Sequence, residues 1–141
     1  ANPPSQVVIL VQKEVAERIA ALPGGMSMLS VSAQVFFEAH TGVEVPREYF
    51  TPPPEVDSQT VILRRRPAPL VPEAEQKDFF RLVRAGFSER RKKLRSSLSG
   101  GLHLPKSEVD DLLQAAAINP EARAQELSIE QWRTLQRILE A

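Results

Sequence analysis

The chain has no cysteine among its 141 residues. That excludes disulfides, thiol catalysis and cysteine-held zinc or iron–sulfur centres, and it fits the cytoplasmic location expected here. Histidine is scarce too. His40 and His103 stand alone, without the spacing of a ligand set, so no metal is expected. No run approaches the roughly 20 uncharged residues that a membrane helix needs; no secretory signal and no membrane partner are expected. There are six glycines. The pairs Gly24-Gly25 and Gly100-Gly101 read as helix stops, not as a phosphate-cradling loop after a strand. Neither a Ser/His/Asp set nor an acidic metal cluster is recognisable. By itself, the sequence holds no self-sufficient active site.

Net charge is also missing, with 18 bases against 18 acids, but only in the sum. Between Phe79 and Arg95, seven bases (Arg81, Arg84, Arg90, Arg91, Lys92, Lys93, Arg95) face Glu89 alone, a local charge of +6. From Lys106 onward seven acids meet four bases, giving −3. A solvated surface is the ordinary meaning of a charge run. Six net positive charges in one segment exceed what solubility needs, and phosphate contact is favoured. The interleaved Phe79, Phe80, Val83 and Phe87 repeat at core spacing and are read as core.

The pattern of elements divides the chain in two. Val7–Val11 is a β-branched run suited to a strand buried on both faces, as in a parallel sheet. It passes directly into a helical pattern over 13–22, stopped by Pro23-Gly24-Gly25. Residues 28–39 read as helix, with strand left open because Val31, Ala33 and Val35 also alternate; 41–45 reads as a short strand, and 56–65 as a long strand antiparallel to it. Arg64-Arg65-Arg66 and three prolines up to Pro72 mark a boundary. The expected division is 1–67 and 68–141. Everything beyond reads as helix: one over 75–86, its basic continuation over 88–97 with Arg84, Arg91 and Arg95 on similar faces, one capped by Ser107, and one opened by the capping box Ser128-Ile129-Glu130-Gln131.

Between the strands lies Tyr49-Phe50-Thr51-Pro52-Pro53-Pro54-Glu55-Val56-Asp57-Ser58. Consecutive prolines fix φ and remove amide donors, so this is a stiff loop with an aromatic at its entrance. Taken alone, Phe50 reads as a core aromatic anchoring a turn. A second cluster, Gln12-Lys13-Glu14, follows the first strand directly. In open α/β sheets, ligands bind at the carboxyl ends of strands.

Together these segments resemble the ribosomal RNA adenine dimethyltransferases. The matching pieces are 11–18 with Gln12-Lys13-Glu14, Leu29-Ser30-Val31 with Gln34, Val45-Pro46, Phe50 to Ser58, 80–87, 90–95 and 123–128. The Gln-Lys-Glu and Phe-x-Pro-x-Pro-x-Val-x-Ser elements are the specific ones. The resemblance covers the family's C-terminal half only. It implies an α/β methyltransferase fragment, namely the last three strands of a class I S-adenosylmethionine-dependent sheet with helices, plus a small all-α C-terminal domain. It implies dimethylation of two adjacent adenines near the 3′ end of small-subunit rRNA during ribosome biogenesis. S-adenosylmethionine is implied for the full-length enzyme, while this fragment is expected to bind no cofactor and to be inactive alone. Phe50 matches the aromatic that packs on the extruded adenine. Lys13 is expected near RNA at the pocket, and Arg81, Arg84, Arg90, Arg91, Lys92 and Arg95 on rRNA phosphates. The pre-ribosomal small subunit is the implied partner, and no DNA is expected. Two other readings stay open: a non-catalytic RNA-binding assembly module, and a helical DNA-binding domain with an appended β-hairpin.

Overall fold

The computed structural model describes residues 5–89 and 91–141. They group into two compact units, one reaching Ala21 and resuming over Leu29–Pro69, the other made of Leu22–Met28 and Leu70–Ala141. The return of Leu22–Met28 to the second unit was not expected; there the amides of Gly24 and Met26 donate to the Gln125 carbonyl (2.9 and 3.2 Å).

In the first unit, β1 (Gln6–Gln12) feeds α1 (Lys13–Ile19) without a loop, followed by α2 (Met28–Gln34), β2 (Phe37–Val45) and β3 (Ser58–Arg65). The sheet order is β1-β3-β2 with both pairs antiparallel, so β1 and β2 run in the same direction on either side of β3. Ala16 and Ile19 of α1 pack on Val61 of the central strand, with Ile9, Val11, Val15 and Leu63 around them. Each such aliphatic side chain contributes about 1.5–3 kcal/mol when fully buried, and this cluster fixes α1 on the sheet.

Three expectations change here. β1 is not buried on both faces: Val8 and Leu10 are 57% and 49% exposed, while Val7, Ile9 and Val11 are half-buried. Its run of β-branched residues meets a helix on one side only. α1 ends at Ile19, and Leu22 is exposed. The helix expected over 28–39 stops at Gln34, and Phe37 and Ala39 are already in β2, opposite Arg65 and Leu63. Dense apolar residues there fit either period, and pairing with β3 decided it.

The second unit contains α3 (Glu73–Phe87), α4 (Leu94–Leu102), α5 (Lys106–Ala115) and α6 (Ile129–Glu140), with no strand among the described residues. Its core holds Phe79, Leu82, Leu94, Leu98, Leu113, Leu127, Trp132 and Leu135, all nearly or wholly buried. The capping box at Ser128 is present: its hydroxyl accepts Gln131 N–H (3.1 Å) and Gln131 Oε1 accepts Ser128 N–H (2.8 Å). Ser107 is no cap, since α5 already begins at Lys106 behind Pro105. Gly100 and Gly101 do not end a helix but lie inside α4. A Cβ on Gly101 would sit 2.7 Å from Ala85 Cβ and 2.9 Å from its Cα, so α3 and α4 approach too closely for a side chain. The expected basic continuation of α3 is interrupted, with α3 ending at Phe87 and α4 starting at Leu94. Leu94 N–H donates to the Ala122 carbonyl (2.8 Å) instead of extending α3.

Candidate nucleic-acid interface

Residues 12, 45 and 58 pair at one end of the sheet, so the carboxyl ends of β1 and β2 meet the start of β3. The proline loop springs from that end. It begins with one 3-10 turn, Arg47–Tyr49, and Phe50 N–H donates to the Arg47 carbonyl (3.2 Å). The Thr51–Pro52 peptide is cis. Asp57 closes the loop twice: its Oδ1 accepts Arg47 N–H (2.9 Å), and its carbonyl accepts Lys13 N–H (3.0 Å) at the first residue of α1. Arg47 Nη1 adds a bond to the Glu55 carbonyl (3.2 Å). Stiffness thus comes from Asp57 and Arg47 as much as from the prolines. The result is a half-buried Phe50 beside a Tyr49 that is 80% exposed.

Lys13 is committed. Its Nζ lies 3.0 Å from Glu44 Oε1, and the hydrogen bond and charge of Glu44 hold the ammonium above its usual range. A raised lysine favours the folded state below the usual lysine value and loses that contribution as pH rises through the higher one, so the pair is intact at neutral pH. The adjoining cleft, about 410 Å³, is lined by Glu14, Glu17, Glu55 and Asp57 against Lys13 and Arg47. That lining does not favour a phosphate.

In the second unit the basic segment separates into paired and free cations. Lys92 pairs with Glu89 (2.6 Å), Lys93 with Glu121, and Arg95 with Asp110 (2.7 Å). Glu121 consequently has its carboxyl held below the ordinary range by the Lys93 hydrogen bond and charge. Arg81, Arg84 and Arg91 are exposed and make no ion pair among the described residues. Arg90 lies outside the described residues. The expected alignment of Arg84, Arg91 and Arg95 along one helix is lost, because α3 ends at Phe87 and α4 starts at Leu94. Phe79 is buried, with Phe80 edge-on at 5.3 Å, and Phe87 lies 5.8 Å from Trp132, as their core spacing implied.

A stiff aromatic-bearing loop at a strand's carboxyl end, with exposed arginines elsewhere, fits contact with a nucleic acid but names no family. The sequence does: residues 2–141 match the family described as "Ribosomal RNA adenine dimethylase". The chain belongs to that family. It is 43% identical over 133 residues to "Ribosomal RNA small subunit methyltransferase A" of Desulfitobacterium hafniense, covering 93% of this chain and 48% of that protein. The Bacillus mycoides protein of the same name is 41% identical over 137 residues, covering 94% and 47%. The chain therefore spans about half the length of these relatives. Among solved structures, the 23S rRNA methyltransferase ErmE is similar, with a TM-score of 0.72, 28% identity, and coverage of 97% of this chain and 55% of that one. A dimethyladenosine transferase from Plasmodium falciparum shares the fold, with a TM-score of 0.72, 24% identity, and coverage of 93% and 56%.

Within this member of the dimethylase family, two kinds of residue escaped the sequence reading. Lys77 is exposed on α3, four residues before Arg81 and seven before Arg84, making a three-cation stripe. The i, i+4, i+7 spacing was the available signal. Asp57 falls within the strand pattern of 56–65, although an aspartate side chain often binds nearby backbone N–H groups. The six glycines lie in the turn after α1 and inside β2, α3 and α4, none at a strand-to-helix turn. Among the described residues, no group of three metal-ligating side chains occurs, and no helix is long and apolar enough to cross a membrane.

Proposed function

We propose that this chain is the RNA-facing half of an rRNA adenine dimethyltransferase that modifies adjacent adenines near the 3′ end of small-subunit rRNA. The carrying observation is the braced loop: Asp57 ties the Phe50-bearing segment to both the 3-10 turn and the start of α1. An aromatic held in advance can stack on an extruded base without first being ordered. In this reading Lys13 holds the loop's surroundings through Glu44. The second unit acts as an RNA-binding domain, with Lys77, Arg81, Arg84 and Arg91 on phosphates, while Lys92, Lys93 and Arg95 are already neutralised. S-adenosylmethionine supplies the methyl group. This chain's glycines and its acidic cleft do not fit a cradle for it, so the rest of the relatives' length is proposed to hold it.

The test is to complete the protein to the length of its relatives and assay methyl transfer to small-subunit rRNA. Transfer to adenine supports the reading. RNA binding without transfer would make the chain a non-catalytic assembly module, and equal affinity for duplex DNA would sink both.

Two results are expected of the chain alone. A calorimetric titration with S-adenosylmethionine will show no stoichiometric binding; a stoichiometric isotherm would overturn the assignment of the cofactor site. In a salt series with rRNA, Arg81→Ala and Arg84→Ala will each reduce the slope of log affinity against log salt by about 0.7–0.9. Lys93→Ala will leave it unchanged, because Glu121 already neutralises that lysine.

A further inference from the structure

The run Arg64-Arg65-Arg66 takes no part in the site above. It closes β3 at the end of the sheet away from the Phe50 loop, roughly 23 Å along the strand at about 3.3 Å per residue. There it borders an open groove of about 370 Å³, lined by Phe36, Phe37, Arg65, Arg66, Pro67 and Pro69, and by no acid. Phe37 lies directly opposite Arg65 in the β2–β3 ladder. The backbone is tied down on both sides: Arg65 N–H donates to the Ser5 carbonyl (2.8 Å) and Arg66 N–H to the Phe36 carbonyl (3.0 Å). Arg66 Nε donates to the Gln34 carbonyl (2.9 Å), which fixes the plane of that guanidinium. The Arg65 guanidinium and both Nη groups of Arg66 make no hydrogen bond or ion pair among the described residues. Arg64, by contrast, has Glu38 opposite it in the ladder.

From this juxtaposition we infer that the groove is a second RNA site, taking a single-stranded segment with phosphates on Arg65 and Arg66 and a base on Phe37. Aromatic rings beside guanidinium groups suit a strand whose bases are free to stack. An acidic peptide would use the arginines but would have no use for the rings. The inference rests on the proposed RNA substrate and adds a contact remote from the reacting adenine.

The test is equilibrium binding of the chain to a labelled single-stranded fragment of small-subunit rRNA across a salt series. The variants are Arg65→Ala, Arg65→Lys and Phe37→Leu, with Arg84→Ala as a reference from α3. A lost phosphate contact on a single strand lowers the salt slope by about 0.7, which is about fivefold in affinity between 1 M and 0.1 M salt. Arg65→Ala is expected to show both effects and Arg65→Lys to restore the slope. Phe37→Leu is expected to weaken binding by about fivefold or more at every salt concentration. Should the alanine variant fail to fold, a photo-crosslink from the labelled RNA to the peptide containing Phe37 in the unmodified chain carries the same test. If Arg84→Ala changes the slope while Arg65→Ala and Phe37→Leu bind normally, the groove is refuted and the RNA reading stands. If the unmodified chain binds no RNA at any salt, both fall. If polyglutamate competes through Arg65 while Phe37→Leu has no effect, the occupant is an acidic protein segment and the RNA site is refuted.

Discussion

Replacing Phe50 by alanine in the protein completed to its relatives' length will cut adenine methylation by about fivefold to a hundredfold or more, while RNA affinity changes by much less. The range follows from base–aromatic stacking, worth about 1–3 kcal/mol per base, at about 1.4 kcal/mol for each factor of ten. The split between rate and affinity follows from where each contact acts. The phosphate contacts proposed for the α3 stripe and Arg91 would operate whether or not the base is extruded, and such contacts supply much of the affinity. In the proposed role Phe50 acts only on the extruded base, whose unstacking costs a few kcal/mol. Losing the ring therefore depopulates the reactive state and leaves the encounter largely intact. Phe50 is half-buried, so a purely structural role makes a different forecast: a lower thermal midpoint, with activity and affinity falling together. Measuring kcat, Kd and the midpoint of Phe50→Ala beside Phe50→Tyr separates the two. Equal losses in rate and affinity would refute stacking. Asp57→Ala, which cuts the link between the loop and Arg47, should reproduce part of the rate loss with the ring still in place.

Local signals in the sequence located what local chemistry decides. Ser128 and Gln131 cap each other over three residues, and the strand that runs straight into α1 needed only its own pattern. The Phe50-to-Ser58 motif pointed to the family through residue order alone. Features decided by distant partners were not legible. Gly100-Gly101 has the composition of a helix stop, yet Gly101 lies within α4 because Ala85 comes too close for a Cβ. Phe37 and Ala39 joined β2 because β3 offered a ladder. The count of cations from Arg81 to Arg95 overstated the free charge, since Asp110 and Glu121 lie fifteen or more residues beyond their partners in sequence. Conversely, it overlooked Lys77, which belongs to the same α3 face but lies outside the dense run.

The face of α3 opposite that stripe explains the largest stability effect expected. Trp132 is fully buried, packs at 5.8 Å from Phe87, and lies over Gly86, where an added Cβ would press into the ring within van der Waals contact of Cη2 and 2.9 Å from Cζ3. Trp132→Ala leaves a void the size of an indole and should cost about 3–5 kcal/mol, a large part of a typical 5–15 kcal/mol of domain stability. At about 4–8 °C per kcal/mol, the thermal midpoint should fall by at least about 12 °C. Gly86→Ala probes the same contact from the other side. It overpacks a ring that cannot swing away, for about 1–3 kcal/mol. Because the atoms it strikes belong to the benzo ring, adding Trp132→Phe should remove most of that cost. The two single effects will then not sum. A double-mutant cycle by denaturant unfolding should show a coupling of about 1 kcal/mol or more, whereas additivity within about 0.5 kcal/mol would mean that α6 shifts to make room. The same cycle links core to function: α3 presents Lys77, Arg81 and Arg84 only while Gly86 and Trp132 hold it. RNA affinity in these variants should therefore track the folded fraction, with the salt slope of the folded molecules unchanged.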